Sequence, residues 1–224
     1  MPPHAAKPVP EVVKQQYEAK PGYANYHFNK LAQERVWNGM LARGAFANAN
    51  GPWTLLGELA GSGKVQIKLD DASVDAELPA GAFKLVVSDD LGSVLDPPSS
   101  GGLLAALHLW RHLLIQGPER FGQIYYLGTA PIQHPDKPQP QLADVLVGVQ
   151  GGVECHFFID PAEGFLLGME MFPDDETDPC ELYFSRYEES DGRFLPQRIA
   201  VRYGSDLYGV LELSKFELPA SPEE

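Results

Sequence analysis

Basic residues are scarce in this chain. Its 224 residues include 17 Lys and Arg against 31 Asp and Glu, which gives a formal net charge of −14. A chain this acidic repels phosphate backbones and anionic lipid surfaces. We therefore expect no nucleic-acid partner.

Long apolar runs are also missing. The most apolar stretch, residues 103–115, is interrupted by His108, Arg111 and His112, and it is shorter than the ~18 residues that span a bilayer. The sequence thus predicts no transmembrane segment, and no signal-peptide pattern is visible in it. We expect residues 1–10 to be a proline-rich linker, residues 11–218 a single β domain and residues 219–224 a tail. The chain then corresponds either to a mature form without its leader or to one domain of a larger polypeptide.

Cysteine is rare, with only Cys155 and Cys180. The strand pattern places them on two strands of a meander, with the strand that begins at Phe165 between them. Two strand spacings are about 9–10 Å, which exceeds the reach of a disulfide. We predict two free, half-buried thiols, which leaves the redox compartment undetermined.

Three segments show helical patterns, at residues 11–20, 25–43 and 101–116. In the second, Phe28, Leu31, Val36 and Met40 form the predicted apolar stripe. The third is apolar on nearly every side, so it must be covered by other elements. At ~1.5 Å per residue it is roughly 24 Å long, about the span of a modest sheet.

The rest of the chain alternates with period two between turn signals, which is typical of antiparallel strands. The fold class that we predict is α+β, mainly antiparallel β. The expected strands lie at residues 53–58, 65–69, 74–78, 82–88, 123–129, 144–150, 153–159, 165–172, 181–187, 195–203 and 207–216. The last six form a meander from Asp144 to Glu217.

Two glycine-containing motifs superficially suggest catalysis. The run 61–64, Gly-Ser-Gly-Lys, ends like a phosphate-binding loop, but Glu58 and Val65 occupy the places of its first glycine and its hydroxyl residue. It is better interpreted as a hairpin turn. The run 99–102, Ser-Ser-Gly-Gly, lacks the preceding residues of a serine-protease motif and is better interpreted as a helix cap.

Two clusters could hold metal ions. His108 and His112 are four residues apart, which puts both imidazoles on one helix face, but Leu109 stands where a zinc protease needs Glu. We interpret them as the polar edge of a buried helix. The acidic loop 174–178 lacks the ligand order of a calcium loop and is better interpreted as a solvated turn. We predict no metal, no cofactor and no enzymatic activity.

The meander contains an Asp-Pro-x-x-Gly hairpin, an aromatic strand and a Gly-x-x-Leu-Pro strand. These motifs stand at residues 157–161, 164–166, 183–187 and 191–199. In these motifs the meander resembles the second half of the LolA/LolB-like lipoprotein-carrier superfamily of bacterial envelopes. About seventy residues match well, whereas the earlier strands and the helix after Ser99 follow the order loosely.

The resemblance implies a curved half-barrel sheet with helices on its concave face, in the periplasm or cell envelope. Members of this type hold acyl chains between sheet and helices, so the implied partner is a lipid or lipoprotein. The residues expected to bind a hydrophobic ligand are Leu107, Trp110, Leu114, Phe157, Phe165, Met169 and Phe184. These side chains could equally fill a closed core, depending on whether the helix at 103–115 plugs the concavity or covers it as a lid. The alternative function is an accessory domain of a larger envelope protein, for example a protease, without a small ligand.

Overall fold

The structure, a computed structural model, describes residues 10–219. The predicted linker, residues 1–10, and the predicted tail, residues 219–224, lie outside this part of the chain except for Pro10 and Pro219. The helices are α1 Glu11–Gln15, α2 Tyr26–Leu41 and α3 Leu103–Gln116, with a 3₁₀ turn at Ala47–Ala49. The strands are β1 Trp53–Leu59, β2 Gly63–Leu69, β3 Ser73–Leu78, β4 Gly81–Val86, β5 Gln123–Ile132, β6 Gln141–Gln150, β7 Val153–Ile159, β8 Leu166–Phe172, β9 Cys180–Ser190, β10 Arg193–Tyr203 and β11 Asp206–Glu217.

All eleven strands belong to one open, curved sheet in the order β4-β3-β2-β1-β11-β10-β9-β8-β7-β6-β5. Every neighbouring pair is antiparallel, and β1 pairs with β11 to join the first four strands to the meander. The predicted fold class is therefore confirmed. A bulge in the β1–β11 pairing falls between Leu56 and Gly57, where a Cβ on Gly57 would overlap the carbonyl of Glu212.

Helix α3 fills the concave face of the sheet. Its apolar residues are almost completely buried, and they pack against β2, β3, β4, β8 and β9. The Ser100 hydroxyl accepts hydrogen bonds from the backbone N–H groups of Gly102 and Leu103, at 3.3 and 3.1 Å, so the predicted cap is present. The helix begins two residues later than predicted because Gly101 and Gly102 have φ values of 68° and 100°. Of the two arrangements left open by the sequence, the structure shows the plug.

The apolar stripe predicted for α2 is confirmed for Val36 and Met40, which are buried, and wrong for Phe28 and Leu31. Phe28 is 62% exposed and Leu31 46% exposed, and the polar Gln33 is buried instead. The reason is that α2 lies against the edge strand β5, where backbone groups need polar partners more than apolar contacts. The first helix is also shorter than predicted, since α1 ends at Gln15.

A smaller apolar cluster lies on the convex face, where the tip of the β5–β6 hairpin folds back. Ile132 packs over Gly168, and the Asp136 carboxylate accepts hydrogen bonds from Ser185 and Arg198 at 2.8 and 3.0 Å. The hairpin tip is thus fixed to the meander.

Both cysteines occupy the strands predicted for them. Cys155 on β7 faces Met171 on β8, which in turn faces Cys180 on β9. The thiols are free and fully buried rather than half-buried, and burial raises the pKa of both. Within residues 10–219, no helix is long and apolar enough to cross a membrane.

Candidate functional site

Five of the seven predicted ligand-binding residues lie in the main core. Their exposed fractions are 0% for Leu107, 1% for Trp110, 0% for Phe157, 1% for Met169 and 2% for Phe184. Leu107 and Trp110 belong to α3, and the other three lie in the same buried cluster. Leu114 and Phe165 are half-buried and lie where α3 meets the end of α2.

The aromatic members of this set are arranged around Trp110. Its ring stacks on Phe184, with centroids 5.4 Å apart and planes inclined by 29°, and it meets Trp53 edge-on at 5.9 Å. Phe157 lies elsewhere in the core, edge-on to Phe121 at 5.3 Å. The structure thus brings Trp110, Leu114, Phe165 and Phe184 into one region but separates Phe157 from it.

A small void of about 30 Å³ remains under the C-terminal end of α2. We call it the α2 void. It is lined mainly by apolar and aromatic side chains, namely Met40, Phe46, Trp110, Leu114, Phe165, Leu166, Tyr187, Phe194 and Pro196, together with Arg43 and Gly164. Its volume is about that of one water molecule in the liquid, so the void is closed to any larger ligand in this conformation.

The wall of the α2 void nearest to solvent is an aromatic stack. Phe165 lies over Tyr187 at 4.6 Å and edge-on to Phe194 at 5.6 Å, while the Arg43 guanidinium covers the outer face of Phe165 at 4.7 Å. The Arg43 side chain also donates a hydrogen bond to the backbone carbonyl of Glu163. Phe165 is thus the side chain that separates the void from the surface at the start of β8.

Helix α2 is held mainly by polar contacts. The Tyr26 hydroxyl donates to the Ile124 carbonyl at 3.1 Å, and the Asn29 amide bonds to both backbone groups of Tyr126. Gln33 donates to the Asn29 side chain at 2.8 Å. Few apolar residues of α2 are buried, so its packing is thin compared with that of α3.

An ion pair fixes the middle of α2. Arg35 donates to the Asp144 carboxylate at 2.7 Å, and the Tyr126 hydroxyl donates to the same carboxylate at 2.8 Å. Burial alone would raise the pKa of Asp144, but the hydrogen bonds from Arg35 and Tyr126 outweigh it and hold that pKa below its usual value. Asp144 is 4% exposed at its side chain, whereas Arg35 is 54% exposed, so the pair reaches from the core to the surface.

Open clefts flank α2 on two sides. One, of about 1040 Å³, separates its first turns from the end of α3 and the start of β5. The other, of about 210 Å³, lies between α2 and the turn at residues 159–164. Together with the void beneath it, these clefts leave α2 open on several sides.

The polar side of α3 forms a buried seam. Arg111 is 1% exposed and donates to the Asp71 carboxylate at 2.7 Å and to the Gly51 carbonyl. Burial, aided by the nearby His112 and Arg111, lowers the pKa of His108 to about 4. The two imidazoles lie 6.0 Å apart and are inclined by 30°. Within residues 10–219, no group of three His, Cys, Asp or Glu side chains could hold a metal ion.

The remaining motifs are turns. Residues 60–62 form the β1–β2 turn, and the Asp174 carboxylate accepts hydrogen bonds from the backbone of Glu176 and Thr177 at 2.8 and 2.7 Å. Both observations agree with the turn interpretations.

Sequence reasoning missed the polar anchors of α2. Asn29 is 97 positions from its partner Tyr126, Arg35 is 109 positions from its partner Asp144, and none of the four belongs to a motif. The only local signal is Asp144 beginning a strongly apolar stretch, since a carboxylate there needs a buried partner.

An open antiparallel half-barrel filled by one helix is the class that this architecture defines. No family model matches the chain, and no curated protein matches it significantly in sequence. Two solved structures have folds similar to that of this chain. One is described as an outer membrane lipoprotein-sorting protein domain from Vibrio parahaemolyticus, with 14% identity, a TM-score of 0.47 and coverage of 89% of this chain and 96% of that one.

The other similar structure is a LolA superfamily protein from Nitrosomonas europaea. It has 11% identity and a TM-score of 0.43, and the aligned region covers 85% of this chain and 94% of that chain. The motifs at 157–199 resemble the superfamily named in that description. At these values the likeness concerns the fold, and it carries no inference about ligand or partner.

Proposed function

We propose that this protein is a non-catalytic domain of the periplasm or cell envelope that binds a hydrophobic chain, such as the acyl chain of a lipid or lipoprotein. The acyl chain enters between α2 and the core, at the α2 void. Helix α3 stays in place and forms the inner wall of the binding site. The observation that carries the proposal is the pairing of an aromatic-lined void with a covering helix that is held mainly by polar contacts and flanked by clefts.

The free energy needed to displace α2 is comparable with the free energy gained by burying an acyl chain. Displacing α2 exposes Val36 and Met40, at ~1.5–3 kcal/mol each, and breaks several hydrogen bonds worth ~0.5–1.5 kcal/mol each. Burying a chain of about sixteen carbons contributes ~0.8 kcal/mol per methylene, or about 12 kcal/mol. A chain of about eight carbons contributes half of that. Binding should therefore require a long chain.

The lining of the void suits binding. It offers aliphatic and aromatic groups and the Arg43 guanidinium, which is neither a nucleophile nor a general base at neutral pH. The Tyr187 hydroxyl donates to the Leu166 carbonyl at 2.7 Å, and burial raises the pKa of this phenol. Arg43 lies at the rim of the void, where a carboxylate or phosphate head group would meet it.

Uptake of fluorescent fatty acids of about sixteen and eight carbons by delipidated protein tests the proposal. We expect the longer chain alone to bind. Leu114→Trp, which fills the void, should weaken that binding by at least about tenfold, or ~1.4 kcal/mol. The matched control is Leu127→Trp, at a position 57% exposed on β5, which should bind like the unmodified protein. No uptake of either chain would refute the proposal.

The second candidate is an accessory domain of a larger envelope protein with no small ligand. The observation in its favour is that α3 completes the core without help from a ligand. Native mass spectrometry of protein isolated gently from its source distinguishes the two. A bound lipid mass supports the first candidate, whereas a lipid-free domain within a longer polypeptide supports the second.

A further inference from the structure

The two edges of the sheet differ in how they are covered. On β5, the Tyr26 hydroxyl and the Asn29 amide bond to the backbone of Ile124 and Tyr126. On β4, the inner side pairs with β3, and no hydrogen bond from any residue between 10 and 219 reaches the backbone of the outer side. An edge strand of this kind presents unpaired N–H and C=O groups that can pair with another chain.

Strand β4 also lacks the features that usually protect an edge. It contains no proline, and its register with β3 has no bulge. Its single lysine, Lys84, is held by the Asp75 carboxylate at 2.8 Å, so its charge is partly neutralised. Val86 is 63% exposed at the end of the strand, which leaves an apolar contact for an incoming residue.

The charge around β4 selects the kind of partner. Residues 70–90 hold six carboxylates and one base, Lys84. Glu77 on β3 lies opposite Ala82 on β4, and an added strand would lie two strand spacings from Glu77, about 9–10 Å. A long basic side chain on that strand could pass over the Ala82 methyl group and reach the Glu77 carboxylate. A second copy of this acidic chain would instead be repelled.

We propose that the β4 edge is a docking site for an extended, basic segment of another protein, which joins the sheet as an additional strand. Residues of that segment beside Phe83 and Leu85 face the core and should be apolar, while the residue beside Ala82 faces solvent and should be Arg or Lys. The site lies at the opposite edge of the sheet from β5 and α2, so it operates whether or not a ligand binds under α2.

A synthetic peptide of about ten residues that alternates Val and Thr with Arg is the first probe, and the same peptide with Glu in place of Arg is its counterpart. We expect the basic peptide to bind by fluorescence anisotropy. Amide chemical shifts should change mainly between residues 81 and 87. Equal binding of both peptides, or shift changes confined to another surface, would overturn the proposal.

Backbone pairing has its own test. In a strand pairing, alternate residues of the peptide bond to the protein, so N-methylation of one alternate set should abolish binding while N-methylation of the other set is tolerated. Equal effects of the two sets would mean attraction by charge alone and would contradict strand addition.

The role of Glu77 is tested by Glu77→Lys, with Glu189→Lys as the control that changes the net charge equally at an exposed position on β9. Glu77→Lys should weaken binding of the basic peptide at least about fivefold, and Glu189→Lys should weaken it less than about twofold. Equal losses would refute the specific site. A dimer of the unmodified protein with protected β4 amides would also overturn the proposal, because a second copy would then be the occupant.

Discussion

The side-chain amide of Asn29 on α2 pairs with both backbone groups of Tyr126 on β5. Its Nδ2 donates to the Tyr126 carbonyl at 2.7 Å, and its Oδ1 accepts from the Tyr126 N–H at 3.0 Å. The amide thus supplies the two bonds that a neighbouring strand would make at this position. One residue therefore both covers the edge of the sheet and holds the helix that closes the α2 void.

Replacement of Asn29 should loosen α2. Asn29→Ala leaves both backbone groups of Tyr126 without these partners, which should reduce the free energy of unfolding by ~1–3 kcal/mol. Amide hydrogen exchange should accelerate within residues 26–41, and uptake of a long fatty acid should become faster. The control is Glu34→Ala, an exposed position on the same helix. Unchanged exchange in Asn29→Ala would show that α2 is held elsewhere.

The turn between β7 and β8 touches α2 through two glycines. Gly164 has a φ of 74°, and a Cβ on it would overlap the carbonyl of Gly39. Gly192 has a similar φ of 71° but has no atom within 4 Å of such a Cβ. Gly164→Ala and Gly192→Ala should therefore both lose ~1 kcal/mol of stability from the positive φ. Only Gly164→Ala adds a clash with the Gly39 carbonyl.

Urea unfolding should accordingly show Gly164→Ala to be less stable than Gly192→Ala by ~1–3 kcal/mol. Hydrogen exchange near Gly39 should rise only in the first variant. Equal stability losses in both variants would mean that the turn moves away from α2 without cost.

Trp110 should be among the most costly core residues to truncate. It is 1% exposed and stacks on Phe184 in the middle of α3. Trp110→Ala should lower the free energy of unfolding by ~3–5 kcal/mol, and Trp110→Phe by less, since the latter keeps a ring in the stack. Phe28→Ala, at a position 62% exposed, should change stability by less than ~0.5 kcal/mol. A small effect of Trp110→Ala would contradict the role of α3 as a rigid plug.

His108 should make the protein less stable in acid. Its pKa is about 4 in the fold, below its ordinary value of 6.5, because burial disfavours the charged imidazole. As the pH falls below about 6.5, the unfolded chain takes up a proton that the folded chain refuses until about pH 4. Stability should therefore fall across this window, by at most about 3 kcal/mol from this residue, and no further below it.

The variant His108→Gln removes this contribution while keeping a side-chain donor for the Asp70 backbone, which hydrogen-bonds to His108. The stability difference between the variant and the unmodified protein should shift in favour of the variant between about pH 7 and about pH 4.5 in urea titrations. Because His134 is retained in both proteins and lies away from His108, its effect cancels. A pH-independent difference would show that His108 titrates normally.

Much of the architecture could be predicted from local patterns. The period-two alternation of Val65, Ile67 and Leu69 needs no tertiary information, since one face of the strand must be buried and the other wet. The turn signals at residues 160–164 and 191–192 fixed the later hairpins in the same way. Helix α3 is apolar on nearly every side, which required that this helix be buried.

The sequence was less informative at irregular points. Leu207 fits the apolar alternation of β11, yet it is 58% exposed because a bulge shifts the β10–β11 register between Val201 and Arg202. A shift of one residue turns a side chain to the other face, and its position depends on the partner strand. The candidate ligand residues were likewise chosen for their apolar character, which does not separate a closed core from the lining of a void.

Periodicity and turn chemistry in the sequence by themselves determined the strands, the burial of α3 and the separation of the two cysteines, because these depend on residues adjacent in the chain. Only the tertiary structure decided that α3 plugs the concavity, that Asn29 holds α2 to β5 and Arg35 holds it to β6, and that no element within residues 10–219 covers the outer edge of β4. Those features depend on contacts between residues as far apart as Asn29 and Tyr126, and no local pattern records which distant backbone groups a side chain will meet.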